Sequence, residues 1–274
     1  MLLTSSVLLT WLRSPAVRQC FATGGAIALG VIAVISLQRP RLARLVDTET
    51  VISSAEYQRQ AEQTRLNLQL LQNIPTFGFS NLLADWIFLR YLQYFGDDEA
   101  RAATGYALTI DYFRPIIGND PRFRDAYLFL ATGGSLYAAQ PQAADELMAW
   151  GLQFMQPQQP PYSYWVWENR GVNQLLFLDE AKAAQSSFEQ AAAWAATYQE
   201  ADTQVAAANL RQTAEFLERD PENTLVRLAA WFGVLRNAPD ETTQERVIRE
   251  IEALGGRVER SPDGGFQLVL PDSE

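Results

Sequence analysis

The chain has 274 residues, 48% of them hydrophobic, and 32 acidic against 22 basic side chains leave a net charge of -10. That length holds one sizeable domain or two small ones beyond an N-terminal segment, and the acidic balance argues against nucleic acid, whose phosphates need a clustered positive surface. Histidine is absent and Cys20 is the only cysteine, which excludes a Ser-His-Asp triad, a Cys-His pair, an HExxH zinc site, an internal disulfide and a thiolate metal cage.

In chain order, Leu2 to Leu12 is apolar but too short to cross a bilayer, which suits a segment lying along the interface. Cys20 to Leu37 then runs without a charge and ends against Arg39, Arg41 and Arg44. At about 1.5 Å per helical residue this run reaches roughly 27 Å, close to the hydrocarbon thickness of a membrane. A cleaved secretory leader is the competing reading, since Arg13 and Arg18 precede the run, but no A-x-A type site follows it. Val17, Arg18 and Gln19 are the wrong approach for a lipoprotein cysteine, and a buried core helix would not stand ahead of a polar stretch. The expectation is a leader over 1–19, a single transmembrane anchor over 20–38 and a linker or stalk over 39–80. Flanking charge nearly balances, so orientation rests on the short basic leader staying on the side of synthesis, which places the large domain on a periplasmic or lumenal side. Ala22, Ala26 and Gly30 recur every four residues, a spacing that admits a second helix closely.

Thr48 to Leu71 is polar and reads as a helical stalk, broken by Asn73, Pro75, Gly78 and Ser80. Leu82 to Phe95 is densely apolar but short and holds Asp85 and Arg90, so it predicts a soluble helix buried on a broad face. A second helix is predicted from Asp98 toward Tyr112, with Pro115 near its end. Asp97, Asp98 and Glu99 read as a solvated turn and helix N-terminus in preference to a catalytic set. Helices then follow over Arg122 to Tyr137, Gln142 to Met155, Ser163 to Leu178 and Glu180 to Ala196, separated by Pro141, by Pro157 to Pro161 and by Asp179. A further pair spans Thr203 to Arg219 and Glu222 to Asn237. Short turns force neighbouring helices antiparallel, and repetition of the pair gives an all-α solenoid over 81–238. Over 239–274 the pattern changes to an amphipathic helix from Glu241 to Leu254, closed by Gly255 and Gly256, and a β-hairpin with Phe266, Leu268 and Leu270 on one face. This end reads either as a cap on the last pair or as a separate docking tag.

Trp167 and Gly171 lie four apart in one helix, and Ala184, Phe188 and Ala191 are spaced four and three in the next. This unit resembles the tetratricopeptide repeat, which sets a large residue and a glycine against a small, aromatic, small triplet. Tyr127 and Ala131 with Ala143, Leu147 and Trp150 form a more divergent unit bounded by Pro121 and Pro157, and Trp86 with the helix after Asp97 a weaker one still. The whole plan is similar to the membrane-anchored tetratricopeptide proteins of bacteria, some of which assist assembly of photosystems in photosynthetic membranes. The resemblance implies a concave groove that holds a peptide or partner helix, with Trp165, Glu168 and Asn169 on its wall and Asn173 one turn further on. Lys, Arg and Asn line the groove in relatives that clamp C-terminal carboxylates; an acid stands here instead and Lys182 is the only lysine, so apolar or mixed recognition is expected. Tyr162, Tyr164, Trp165 and Trp167 are either repeat core or a binding face, and the same choice applies to Arg90, Tyr91 and Tyr94.

The function expected is a membrane-anchored protein-binding scaffold, an assembly factor for a membrane complex, without enzymatic activity, cofactor, metal or nucleic-acid partner. A permanent accessory subunit of such a complex is the alternative, and a glycan hydrolase using two carboxylates a remote one.

Overall fold

A computed structural model describes residues 25, 29–36, 38–39, 52–72, 74–238, 241–260 and 265–270. The chain divides into two units, Met1–Ser53 and Ser54–Glu274. In the first, Gly25, residues 29–36 and residues 38–39 are helical and solvent-exposed. All of the expected leader and about half of the expected anchor lie outside the described residues. Among the described residues no helix is long and apolar enough to cross a membrane.

The second unit is helical up to its final hairpin. Its first helix, α1 (Ser54–Leu71), covers most of what the sequence marks as a stalk, yet Leu68 is buried and the helix packs on two others. A stalk of its own would leave Leu68 in water. Helix α2 (Ser80–Phe95) buries Ala84, Ile87, Tyr91 and Tyr94, one stripe at helical spacing.

The helix expected from Asp98 toward Tyr112 is two helices, α3 (Asp98–Thr104) and α4 (Thr109–Asn119). They part at Gly105, whose φ of 60° is open to a residue without Cβ. Asp97 caps α3 through a bond from the Ala100 amide, and Asp98 and Glu99 fill its first turn, where carboxylates meet the positive end of the helix. Pro115 does not end α4 but lies buried within it. A proline there costs about 3 kcal/mol, offset by the burial of Phe113, Ile116 and Ile117 in the same core.

The helix expected over Arg122 to Tyr137 starts as α5 (Arg124–Leu130) and widens into a π-helix over Ala131–Tyr137. Helices α6 (Pro141–Leu152), α7 (Tyr164–Leu176), α8 (Ala181–Ala195) and α9 (Ala201–Arg219) follow. Phe188 of α8 lies flat on Gly171 of α7, where an added Cβ would meet the ring at 3.1 Å, so the glycine is what lets the two helices approach. Ala184, Ala191 and Ala195 are fully buried in the same seam.

In the preceding pair the register differs by one residue from the sequence reading. Ala144, Met148 and Gly151 are buried, whereas Trp150 is exposed. Gly134 faces Ala144, and Tyr127 crosses over Gly151 so closely that a Cβ there would overlap its hydroxyl. Ala144, Met148 and Gly151 keep the same spacing of four and three, one position along; a shift of one residue turns a helix face by about 100°, which puts Trp150 outside.

Helix α10 (Thr224–Arg236) does not pair with α9 as a further repeat would. It contacts α7 and α11 (Glu241–Ala253) more than α9, because both of its sides are apolar. Leu228, Trp231 and Leu235 join Val247 and Ile251 of α11 in one cluster, while Val226, Ala230 and Val234 face a groove. Amides of Gly255 and Gly256 bond to Glu252 and Ile251 carbonyls and end α11. Strands β1 (Arg257–Arg260) and β2 (Phe266–Val269) pair antiparallel, Arg257 opposite Val269 and Arg260 opposite Phe266. Val258, Phe266 and Leu268 rest on the α10–α11 cluster, and Arg246 donates to the Leu136 carbonyl at 2.7 Å. The terminal helix and hairpin are packed as a cap.

Candidate functional site

Three helix faces converge on one groove of about 480 Å³. From α7 come Trp165, Glu168, Asn169 and Val172, and from α9 come Ala206, Asn209, Leu210 and Thr213. Each set is spaced three, one and three, one stripe of a helix. Small residues of α10, Ala229, Ala230 and Gly233, form the wall opposite; Leu128 and Thr132 close one end, and Phe188 reaches in from α8. The groove therefore unites three of the residues singled out in the sequence, Trp165, Glu168 and Asn169. The α9 and α10 walls were not anticipated. Their signal was present in α9, whose small and polar residues recur at helical spacing, but nothing local says that α10 swings away from α9.

Among the described residues Glu168 is the one charged side chain that lines this groove. It has no hydrogen-bond or ion-pair partner among the described residues, and burial raises its carboxyl above the ordinary range. Two amides turn their donors onto their own helices: Asn169 Nδ2 to the Trp165 carbonyl at 2.7 Å and Asn237 Nδ2 to that of Gly233 at 2.9 Å. Their side-chain oxygens and the Glu168 carboxylate remain as acceptors, a set that suits a cation with several N–H donors.

Trp165 stands half-buried at the rim, held by an aromatic ladder. Its ring stacks on Tyr162 at 5.6 Å, and Tyr162 stacks on Tyr198 at 5.2 Å. The Arg124 guanidinium lies 4.9 Å over the Trp165 ring and donates to the Pro161 carbonyl. An indole fixed in this way loses little freedom when a partner covers it.

Asn173 is not on the groove wall. It is buried, accepts from Ser135 Oγ and donates to the Pro141 carbonyl at 3.0 Å, so it ties α7 to the elements before it. Arg90 and Tyr94 lie away from the groove. Arg90 is exposed beside a smaller cavity between α1 and α2, with its guanidinium 5.1 Å over Trp86. Tyr94 is buried, its hydroxyl accepting from the Leu108 amide at 3.1 Å and its ring 3.6 Å below Arg101. Trp167 meets Trp194 edge-on at 6.0 Å and lies under Arg170, whose guanidinium forms a two-pronged pair with Asp145 of α6 at 3.0 Å for each bond. Among the described residues no three of His, Cys, Asp or Glu are grouped to hold a metal. No family model, no curated protein and no solved structure matches the chain.

Proposed function

We propose that this protein is a membrane-tethered scaffold whose groove holds a segment of another protein while a membrane complex is assembled. The tether is the apolar run Cys20 to Leu37 with its arginine flank. What carries the reading is the groove itself: apolar helix faces around one acid that has neither an ion-pair partner nor a neighbouring cation on the groove among the described residues, with acceptors beside it. An occupant that fits places apolar side chains along α9 and α10 and an Arg or Lys against Glu168. This is recognition of a helix or extended segment in a groove, which needs no catalytic group.

The test is photo-crosslinking in the native membrane from a reactive side chain replacing Asn209, followed by sequencing of the captured peptide. Capture of one recurring segment with a basic residue among apolar ones is expected. Capture of acidic or unrelated segments overturns the reading.

With that peptide in hand, Trp165→Ala is expected to weaken binding by about 2 kcal/mol, roughly 30-fold in Kd, with Tm almost unchanged. A fall in Tm at unchanged Kd would make Trp165 a packing residue only. Glu168→Gln is expected to weaken binding by about 1.5–3 kcal/mol, the worth of a hydrogen bond to a charged group. Binding to the native groove should also fall with acidification at a higher pH than an exposed glutamate would require, and the Gln variant should show no such fall. The sign for folding is opposite. Burial raises the carboxyl, so the folded chain holds the proton more tightly than the unfolded one. The cost of the bare carboxylate is full above its folded value and vanishes below the ordinary carboxylate range, so Glu168→Gln should stabilise the empty protein at neutral pH, as read by urea unfolding.

A further inference from the structure

From Leu66 to Ala84 the chain carries no charged residue, and this stretch forms the end of α1, a tight connection and the start of α2. Leu68 and Ala84 are buried and Leu71 and Leu83 pack against the core, but its other large apolar side chains point outward. Phe77 is 86% exposed and Phe79 65%; on α2, Leu82, Trp86 and Leu89 are 62%, 45% and 59% exposed, and Leu70 on α1 is 67%. The three on α2 are spaced four and three, so they make one stripe, and Ala84, Ile87 and Tyr91 fill the opposite, buried side. Helix α2 thus leaves an apolar stripe uncovered on its outer side, with the exposed Asp85 beside it. Scattered exposed apolar residues need no explanation, whereas a contiguous patch does.

The connection displays rather than hides its rings. Phe77 adopts a φ of 50° and Gly78 a φ of 91°, and the Phe79 amide closes the turn on the Thr76 carbonyl at 2.8 Å. A phenylalanine held in the left-handed region is a strained choice, kept here at the tip of a turn where the residue is largely exposed. At the edge of the patch the chemistry changes: Trp86 lies beneath the Arg90 guanidinium at 5.1 Å, an aromatic ring with a cation on its water side.

We infer that this uncharged tip, Phe77 and Phe79 with Leu82, inserts into the outer layer of a lipid bilayer, with Trp86 and Leu89 at its border beside the exposed Asp85 and Arg90. A projecting tip with two phenylalanines fits a deformable apolar phase, which needs no matching surface of its own. Lack of charge from Leu66 to Ala84 suits hydrocarbon at the tip, and the exposed Asp85, Trp86 and Arg90 that follow on α2 suit the headgroup layer. The patch is distinct from the run Cys20 to Leu37 and would hold the helical unit against the lipid, with the groove in a set orientation above it. The inference takes from the proposed tether only that the chain meets a membrane.

The experiment uses the full chain in phosphatidylcholine vesicles. Cys20 is the only cysteine, so a Cys20→Ser background accepts a single environment-sensitive label at Phe77→Cys, at Phe79→Cys or, as an aqueous reference, at Val205→Cys on α9, a position exposed in the structure. Nitroxide groups on the lipid chains are expected to quench the labels at 77 and 79 several-fold more than the label at 205, and dithionite should reach those two labels more slowly. Equal quenching at all three positions overturns the inference. So does a label shielded from dithionite but not quenched by lipid, which would mean that protein covers the tip. Two labelled positions guard against one variant folding poorly. Alkaline washing of the same vesicles reads the tether independently: a chain retained with an unquenched tip sinks only the patch, and a chain washed off whose tip was quenched sinks only the tether.

Discussion

Phe188→Ala is expected to cost about 3–5 kcal/mol of folding free energy, the range for deleting a buried aromatic ring. The ring is almost wholly buried and its edge atoms lie where a Cβ on Gly171 would be 3.1–3.2 Å away. Ala184 and Ala191 on the same helix face are already small, so neither can reach into the void that the ring leaves. Chemical unfolding should show a lower midpoint, with the slope showing whether the transition stays two-state. Phe188 also reaches into the groove, so binding should weaken as well, which separates this variant from Trp165→Ala. Gly171→Ala should destabilise by overpacking at about 1–3 kcal/mol, and combining it with Phe188→Leu should cost less than the sum of the two alone, because the shorter side chain leaves room for the new methyl.

Asp145→Ala is expected to cost about 3–5 kcal/mol, because it strands a charge. Asp145 is buried and receives both Nε and Nη2 of Arg170 at 3.0 Å, and the guanidinium lies against Trp167 with little access to water. With the acid gone the cation keeps its desolvation and loses its partner. Exchanging both residues for apolar ones of similar volume should recover most of the loss, since the pair repays little more than its own desolvation. Equal instability of the single and double exchanges in urea titration would show instead that the pair is net stabilising. The pair links α6 to α7 across the turn that carries the aromatic ladder, so a loosened pair should also show as weaker binding at Trp165.

The hairpin was legible because its signals are local: β-partners a few residues apart, a turn between them and a two-glycine stop to the helix before it. The seam between α7 and α8 was legible for a related reason, since a glycine and a small, aromatic, small triplet are a packing instruction written within a few turns of chain. The break at Gly105 was missed because Asp98 to Tyr112 has no proline and few polar residues at that point, and one glycine in a helical pattern does not announce a stop. Pro115 misled in the opposite sense, as burial of its neighbours outweighs the bond it forgoes. Trp150 drew the register of α6 one residue off, since a large aromatic looks like core; with Gly151 beside it only Tyr127, fixed from another helix, decides which face turns inward.

The sequence by itself determined the helical class, the approximate helix boundaries, the terminal hairpin and the face of α7 that bears Trp165, Glu168 and Asn169. The first three follow from periodicity and turn chemistry within some twenty residues, and the α7 face from the register that the resemblance to the tetratricopeptide repeat implies. Only the tertiary structure decided that α1 belongs to the core, that α10 leaves α9 to close a groove against α7, and that an apolar stripe of α2 stays uncovered. An apolar stripe states that a face must be buried but not against what. Where a helix is apolar on two sides, as α2 and α10 are, its partners are set by how distant elements share the remaining apolar surface.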